Sequence, residues 1–321
     1  MNFDVHSLGL ELAVLALFGI VFVADLLLGR DEKRGLGSVT GMGLVSILLG
    51  SFFFEYDGTA LFNTYVSDGP GLFFKRVLLL AGAIGALGSI DHTDSKLPGR
   101  QGEHYMMLLA SLIGMLLLTG ARDLLLWVVS FELAGIPLIV MVAMHKGKAS
   151  VESSLKLYVS GAASSVMLLY GVSFLWGLSG GTEFSALAAA PASPLFNMGA
   201  LLVLSGVGFK LGLVPFHLWV ADAYQGAPTP TVSFISVAPK IAVIAALIRL
   251  LTEGLAPISH VWITPLLVLS VITMIVGNLT AVTQNDARRL LALSGVGHMG
   301  LLILALVVGG VDGYSTIMFY S

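Results

Sequence analysis

The chain has 321 residues, of which 56% are hydrophobic and 11% charged, with a formal net charge of −3. A soluble domain carries about a quarter charged residues, so this composition and a mean hydropathy of +0.94 exclude one and leave an integral membrane protein. Cysteine is absent, which excludes thiolate-held iron–sulfur clusters, cysteine zinc sites and disulfides, and the scattered basic residues leave no footprint for nucleic acid. In chain order, long and mostly uncharged runs fall near 7–28, 36–54, 72–90, 104–121, 123–144, 152–178, 195–217, 228–250, 261–283 and 289–310, and an eleventh begins at Tyr314. Each approaches the about 20 residues that cross roughly 30 Å of hydrocarbon as a helix, whereas a membrane strand would alternate over about 10. The predicted fold is therefore an all-α integral membrane protein with ten spans and the start of another. The first run lacks a basic region before it and reads as a span rather than a separate signal peptide.

Loop charges set the expected orientation. Odd-numbered loops hold Arg30, Lys33, Arg34, Lys96, Arg100, Lys146, Lys148, Arg288 and Arg289, against Lys75, Arg76, Arg122 and Arg249 in the even-numbered loops and their flanks. The positive-inside rule places the odd loops on the cytoplasmic side and the N-terminus outside. The stretch Gly177–Pro194 reads as an external loop, and HLWVADAYQGAPTP, from His217 to Pro230, is rich in turn formers and aromatics and has no lysine or arginine.

The informative residues are ionisable ones inside spans. Glu132 lies in the middle of the fifth, Lys156 in the inner part of the sixth, Lys210 in the seventh, Lys240 in the eighth and His298 at the centre of the tenth. A charged side chain at mid-bilayer costs about 2.5–3.5 kcal/mol on insertion scales, so these groups must face one another or water. Blander readings exist: Lys156 follows Glu152 by four residues, the spacing of a surface helix pair, and His298 could be a hydrogen-bonded core histidine. Burial disfavours a charged amine and a nearby carboxylate favours it, so several lysines and one glutamate can hold and pass protons. A metal-ion carrier would instead gather carboxylates and carbonyls.

Backbone breaks mark the same places. Gly206, Gly208 and Gly212 surround Lys210 and Pro215 follows, which predicts an interrupted helix; Pro239, just before Lys240, should free the carbonyl of Ile235. Discontinuous helices at mid-membrane sites are a transporter feature. Gly295, Gly297 and Gly300 form a GxGxxG string, but it sits inside a span with no surrounding strand, and helix packing explains it better than nucleotide binding.

Four stretches carry a family resemblance: SFELAGIPL around Glu132, LKLYVSGAASSVMLLYG around and after Lys156, GFKLGLVPFHLWVADAYQGAPTPTVSFISVAPKIA from Gly208 to Ala242, and NLTAVTQNDARRLLALSGVGHMG from Asn278 to Gly300. Over roughly 130–310 the chain resembles the antiporter-like membrane subunits of respiratory NADH–quinone oxidoreductase (complex I), the N type above all. The related M and Mrp antiporter subunits share the PFHLW-like and APTP-like pieces.

The resemblance implies about fourteen helices with two inverted five-helix repeats. Here that gives an N-terminal three-helix segment over 1–95, a first repeat over 104–251 and the start of a second over 261–321. It also implies that Glu132, Lys156, Lys210, Lys240 and His298 form a proton relay and that the seventh and twelfth helices are interrupted; the helix breaks read from the residues themselves are at Gly212, Pro215 and Pro239. NADH, FMN, iron–sulfur clusters and quinone would lie on partner subunits, with no cofactor or metal in this chain, and the site of action would be the inner (plasma) membrane of a bacterium. The partners implied are the lipid bilayer and other membrane subunits of a respiratory complex. The chain stops at Ser321, before the family's twelfth-helix lysine, so a fragment of a longer subunit is expected. Competing readings are an Mrp-type cation/proton antiporter or membrane-hydrogenase subunit, and a structural scaffold whose buried charges only lock helices.

Overall fold

The structure, a computed structural model, describes residues 5–29, 32–53, 58–145 and 147–321. Arg30 and Lys146 of the loop-charge count, and Phe54 at the end of the second expected span, lie outside the described residues. The helices are α1 (Gly9–Leu27), α2 (Leu36–Gly50), α3 (Gly69–Gly88), α4 (Ile90–Lys96), α5 (Gln101–Gly120), α6 (Leu124–Ala143), α7 (Lys148–Ser179), α8 (Phe184–Ala189), α9 (Pro194–Leu211), α10 (Leu218–Gly226), α11 (Thr229–Arg249), α12 (Ser259–Val282), α13 (Ala287–Val308) and α14 (Gly310–Tyr320). Among the described residues nine helical segments are long and apolar enough to cross a membrane. The second expected span, α2, has 15 helical residues, about 22 Å, and is the one that falls short.

The ends of these helices follow from local chemistry. Asp68, Ser193 and Asp286 cap α3, α9 and α13 by accepting backbone N–H bonds from Gly71, Phe196 and the Arg288–Arg289 pair, which satisfies donors that a helix start leaves open. Prolines follow the first two caps at positions where no N–H is needed. Two features depart from an uninterrupted helical reading of the loops. A hairpin pairs β1 (Gly58–Ala60) with β2 (Tyr65–Ser67), and α8 lies inside the expected external loop, where Asp123 and Glu183 form a bridge.

The described chain divides into two compact units. The first comprises 1–121, 129–154 and 227–242; the second comprises 122–128, 155–226 and 243–321. Within the first, the Ser111 hydroxyl of α5 donates to the Ala134 carbonyl of α6 at 2.6 Å, and Gly114 lets α5 meet the backbone of Leu133 and Ala134. Within the second, Ser164 of α7 donates to the Gly206 carbonyl of α9 at 2.7 Å, and Gly171 faces Gly199 and Val203.

The GxGxxG string proves to be a packing surface. A Cβ at Gly277 of α12 would lie 2.6 Å from the Gly297 nitrogen of α13, and one at Gly300 would lie 2.7 Å from Met274 Cγ. Small residues that admit close backbone approach are how membrane helices associate. Gly277→Ala is accordingly expected to cost about 1–3 kcal/mol and to lower the melting temperature of the purified protein. Gly19→Ala, where nothing lies within 4 Å, is the control and should not lower it.

Candidate functional site

The break at the end of α9 is built by three residues. Gly212 takes a left-handed φ of +71°, Val214–Pro215 is a cis peptide, and the chain re-enters helix only at Leu218. The backbone groups exposed by the break find other partners. Leu213 N–H reaches Gly208 O at 2.9 Å, Trp219 Nε1 donates to Phe209 O at 3.1 Å, and the Val214 N–H donates to Thr273 Oγ1 of α12 at 3.0 Å. Phe209 and Phe216 stack across the gap with centroids 4.2 Å apart. Lys210 is therefore held in the last turn of a helix that stops beside it, where the C-terminal end of the helix dipole favours a cation.

On the far side of the break, α10 carries Asp222. Its Oδ2 accepts from Lys156 Nζ of α7 at 2.9 Å, while its Oδ1 pairs with the Arg289 guanidinium of α13. Arg289 also donates to Gln284 and Gln225 at 3.1 and 3.0 Å, and Gln225 donates to Asp286 at 3.2 Å. The Lys156 hydrogen bond, and after it that of Arg289, hold the Asp222 carboxyl below the usual carboxylate range. Lys156 further lines a groove of about 580 Å³ with Ser160, Phe209, Pro215 and Trp219.

In the first unit, Glu132 sits half-buried on α6 and Lys240 is buried on α11 with 5% of its surface exposed. Proline follows or precedes each: Pro137 lies five residues after Glu132, and Pro239 lies directly before Lys240. The expectation of a break at Pro239 is corrected here. The helix runs through it from Thr229 to Arg249, so the proline removes one i→i−4 hydrogen bond, to Ile235, and the neighbouring turns carry the helix past the gap. His298 is on an exposed face of α13, where its Nδ1 meets the Tyr320 hydroxyl of α14 and its Nε2 lies 3.5 Å from Ser294 Oγ.

Several polar pairings escaped the sequence reading. Asp222 joins Lys156, 66 residues before it, to Arg289, 67 residues after it; the one signal was a lone acid in the otherwise uncharged segment 217–230. Three cations from the even-numbered loop count are engaged with carboxylates. Lys75 is fully buried 3.2 Å from Glu11, and Arg122 and Arg249 share Glu253 at 2.6 and 2.9 Å. Among the described residues, no group of three or more histidines and acids is gathered as a metal site.

The chain is similar to known proteins in sequence and fold. A family profile described as NADH:quinone oxidoreductase/Mrp antiporter, TM, matches residues 121–321. The chain is 35% identical over 323 residues to NADH-quinone oxidoreductase subunit N of Moorella thermoacetica, covering 99% of this chain and 68% of that protein. This chain belongs to the subunit N family. A second subunit N, from Heliobacterium modesticaldum, is 35% identical over 325 residues, with 100% of this chain and 68% of that protein covered. Respiratory complex I from Thermus thermophilus with bound aureothin contains a chain with a TM-score of 0.80 and 30% identity, covering 97% of this chain and 66% of that one. The Mrp complex of a Dietzia species matches with a TM-score of 0.80 at 20% identity, covering 99% of this chain and 61% of that one, a likeness of fold alone. The chain thus spans about two thirds of the length of its subunit N relatives, and it is a multi-pass membrane protein of their fold.

Proposed function

We propose that this chain works as a proton-translocating membrane subunit of an NADH–quinone oxidoreductase, passing protons among Glu132, Lys156, Lys210 and Lys240 toward His298 while partner subunits reduce quinone. The observation that carries this reading is the placement of two lysines inside apolar spans at defects in the helical backbone. Lys210 ends the helix that stops at Gly212, and Lys240 is buried next to Pro239. An amine in such a place is expensive to hold charged and easily loaded or unloaded by a moving counter-ion, since one pKa unit corresponds to about 1.4 kcal/mol. NADH, FMN, iron–sulfur clusters and quinone belong to partner subunits in this reading, which suits a chain with no cysteine. The subunit N relatives are bacterial, which supports the plasma membrane as its location, and the loop charges favour an external N-terminus. Residues 104–251 then act as the first antiporter-like repeat and 261–321 begin the second.

The test is to place Glu132→Gln and Lys240→Met separately in the complete subunit and to follow acidification by vesicles containing the assembled complex. Pumping per NADH oxidised is expected to fall by more than half in each variant with assembly intact. Full pumping from a normally assembled variant would reject the assigned role. Cation/proton exchange by the purified subunit, without NADH or quinone, would favour the antiporter reading instead.

A further inference from the structure

Lys75 and Arg76 are neighbours on α3 with different partners. Lys75 is sealed against Glu11, whereas Arg76 is half-buried and pairs with no carboxylate among the described residues. Its Nε donates to Ser51 Oγ at 3.1 Å, its Nη2 donates to the Ser51 carbonyl at 2.7 Å, and its guanidinium carbon lies 4.2 Å over the Phe52 ring. Arg100, Arg122, Arg249 and Arg289, by contrast, each reach a carboxylate. Arg76 lies seven residues, about 10 Å, from the start of α3, and a cation at that depth needs an opposite charge or water.

A guanidinium has five N–H donors, set along a side edge and an end edge. Ser51 takes the side edge, Nε with Nη2, and this caps the last turn of α2, where the helix dipole favours a cation. The end edge, Nη1 with the second N–H of Nη2, has no acceptor among the described residues, and it matches the two oxygens of a phosphate. The surface around it is apolar. Phe52 and Phe53 are 62% and 82% exposed, Leu49 before them is exposed, and on α3 the exposed Leu80 and Ile84 follow Arg76 at steps of four residues. Ile84, about 12 Å along the axis, also borders an apolar cleft of about 240 Å³ with Gly85 and Phe234. One leaflet of hydrocarbon is about 15 Å deep, so the track from Arg76 to Ile84 fits the acyl chain of a lipid in that leaflet.

We propose that Arg76 seats the headgroup of an anionic phospholipid, whose phosphodiester takes the end edge of the guanidinium and whose acyl chain lies along Leu80 and Ile84. Phe52 and Phe53 flank the glycerol region. The headgroup carries net negative charge because that is what the site lacks. A zwitterionic lipid brings its own cation, and the acids at this end of α1 and α3 are engaged, Glu11 with Lys75 and Tyr65, and Asp68 with the Gly71 N–H that starts α3. Loop charges favour the external side for this end of α3, which makes the ligand a lipid of the outer leaflet. The site also gives the short α2 its boundary. With 15 helical residues, about 22 Å, that helix falls short of the roughly 30 Å core, and a headgroup drawn down to Ser51 supplies polar surroundings where the helix ends.

The competing role for Arg76 is that of a helix cap alone, and photolabelling separates the two. The complete subunit is purified in mixed micelles with phosphatidylglycerol carrying a diazirine in the middle of one acyl chain, irradiated, digested and mapped. The site predicts label concentrated on the peptides that hold Leu49–Phe53 and Leu80–Ile84. Unlabelled phosphatidylglycerol should displace it at about a tenth of the concentration needed of phosphatidylcholine with the same chains, and inorganic phosphate should not displace it. Arg76→Gln is expected to lower this labelling about tenfold. Arg76→Lys should also lower it, because a single ammonium cannot present separate edges to Ser51 and to a phosphate. Label spread evenly over the lipid-facing helices, or equal displacement by the two lipids, would overturn the proposal. Displacement by inorganic phosphate would show an anion site without a lipid and overturn it too. Parental labelling in Arg76→Gln, with only the melting temperature lowered, would leave the arginine as the cap of α2 and nothing more. Should Arg76→Gln not fold, the map and the displacement series on the parent protein decide by themselves.

Discussion

Lys75→Met is expected to be among the most destabilising single changes in the chain, by about 3–5 kcal/mol. Lys75 has no exposed side-chain surface and Glu11 has 5%, and their Nζ and Oε1 atoms are 3.2 Å apart. The same ammonium donates to Ser67 Oγ at 3.1 Å and lies 5.0 Å over the Tyr65 ring, while the Tyr65 hydroxyl donates to Glu11 at 2.5 Å. One cluster thus ties α1, α3 and the second strand of the hairpin. Removing the cation leaves the glutamate buried with an uncompensated charge, which outweighs any gain from the apolar methionine. The double variant Glu11→Leu with Lys75→Met removes both charges and should recover most of the lost stability. Melting temperatures of the purified subunit in detergent check both statements. A single variant as stable as the parent would show that the pair contributes nothing.

That cluster also shows where a sequence stops being informative. The spans are legible because burial in hydrocarbon is a property of composition: nine of the expected ten return as long apolar helices, most with ends within about three residues of the hydropathy boundaries. The break beside Lys210 is legible because Gly212 and Pro215 act on their own backbone. Glu11 and Lys75 are 64 residues apart in sequence, and nothing local to either announces the other. Asp222 was hidden for the same reason, and Glu152, four residues before Lys156, supplied a nearer candidate partner. The hairpin at 58–67 has strands of three residues joined through left-handed Leu61, Phe62 and Asn63, too short for an alternating pattern and made of residues that rarely adopt that conformation. Pro239 misled in the opposite direction: proline chemistry predicts a lost hydrogen bond, and whether the helix then stops is decided by its packing.

Asp222→Asn is the other change with a large expected consequence, and here the effect falls on function rather than on folding. The Asp222 and Lys156 side chains are 34% and 39% exposed and Arg289 is 31% exposed. Ion pairs this open are screened and contribute about 0–1 kcal/mol each, so the variant should assemble and melt close to the parent at pH 7. What it loses is the carboxylate that holds a lysine of α7 and an arginine at the start of α13 at once. With Lys156 no longer fixed on α10, proton pumping by the assembled complex is expected to drop several-fold. The pH dependence has a definite sign. The folded-state acidity of Asp222 is increased by Lys156 and Arg289, so the stabilisation it gives is complete above the unfolded value of about 3.9 and is lost as pH falls below it. An acid titration of stability should therefore show a limb below about pH 4 in the parent that is weaker in the asparagine variant. Equal acid limbs together with unchanged pumping would mean that the three-residue bridge is ornamental. Loss of pumping with an unchanged melting temperature at pH 7 would place Asp222 in the transfer path, with Lys156 as the group it positions.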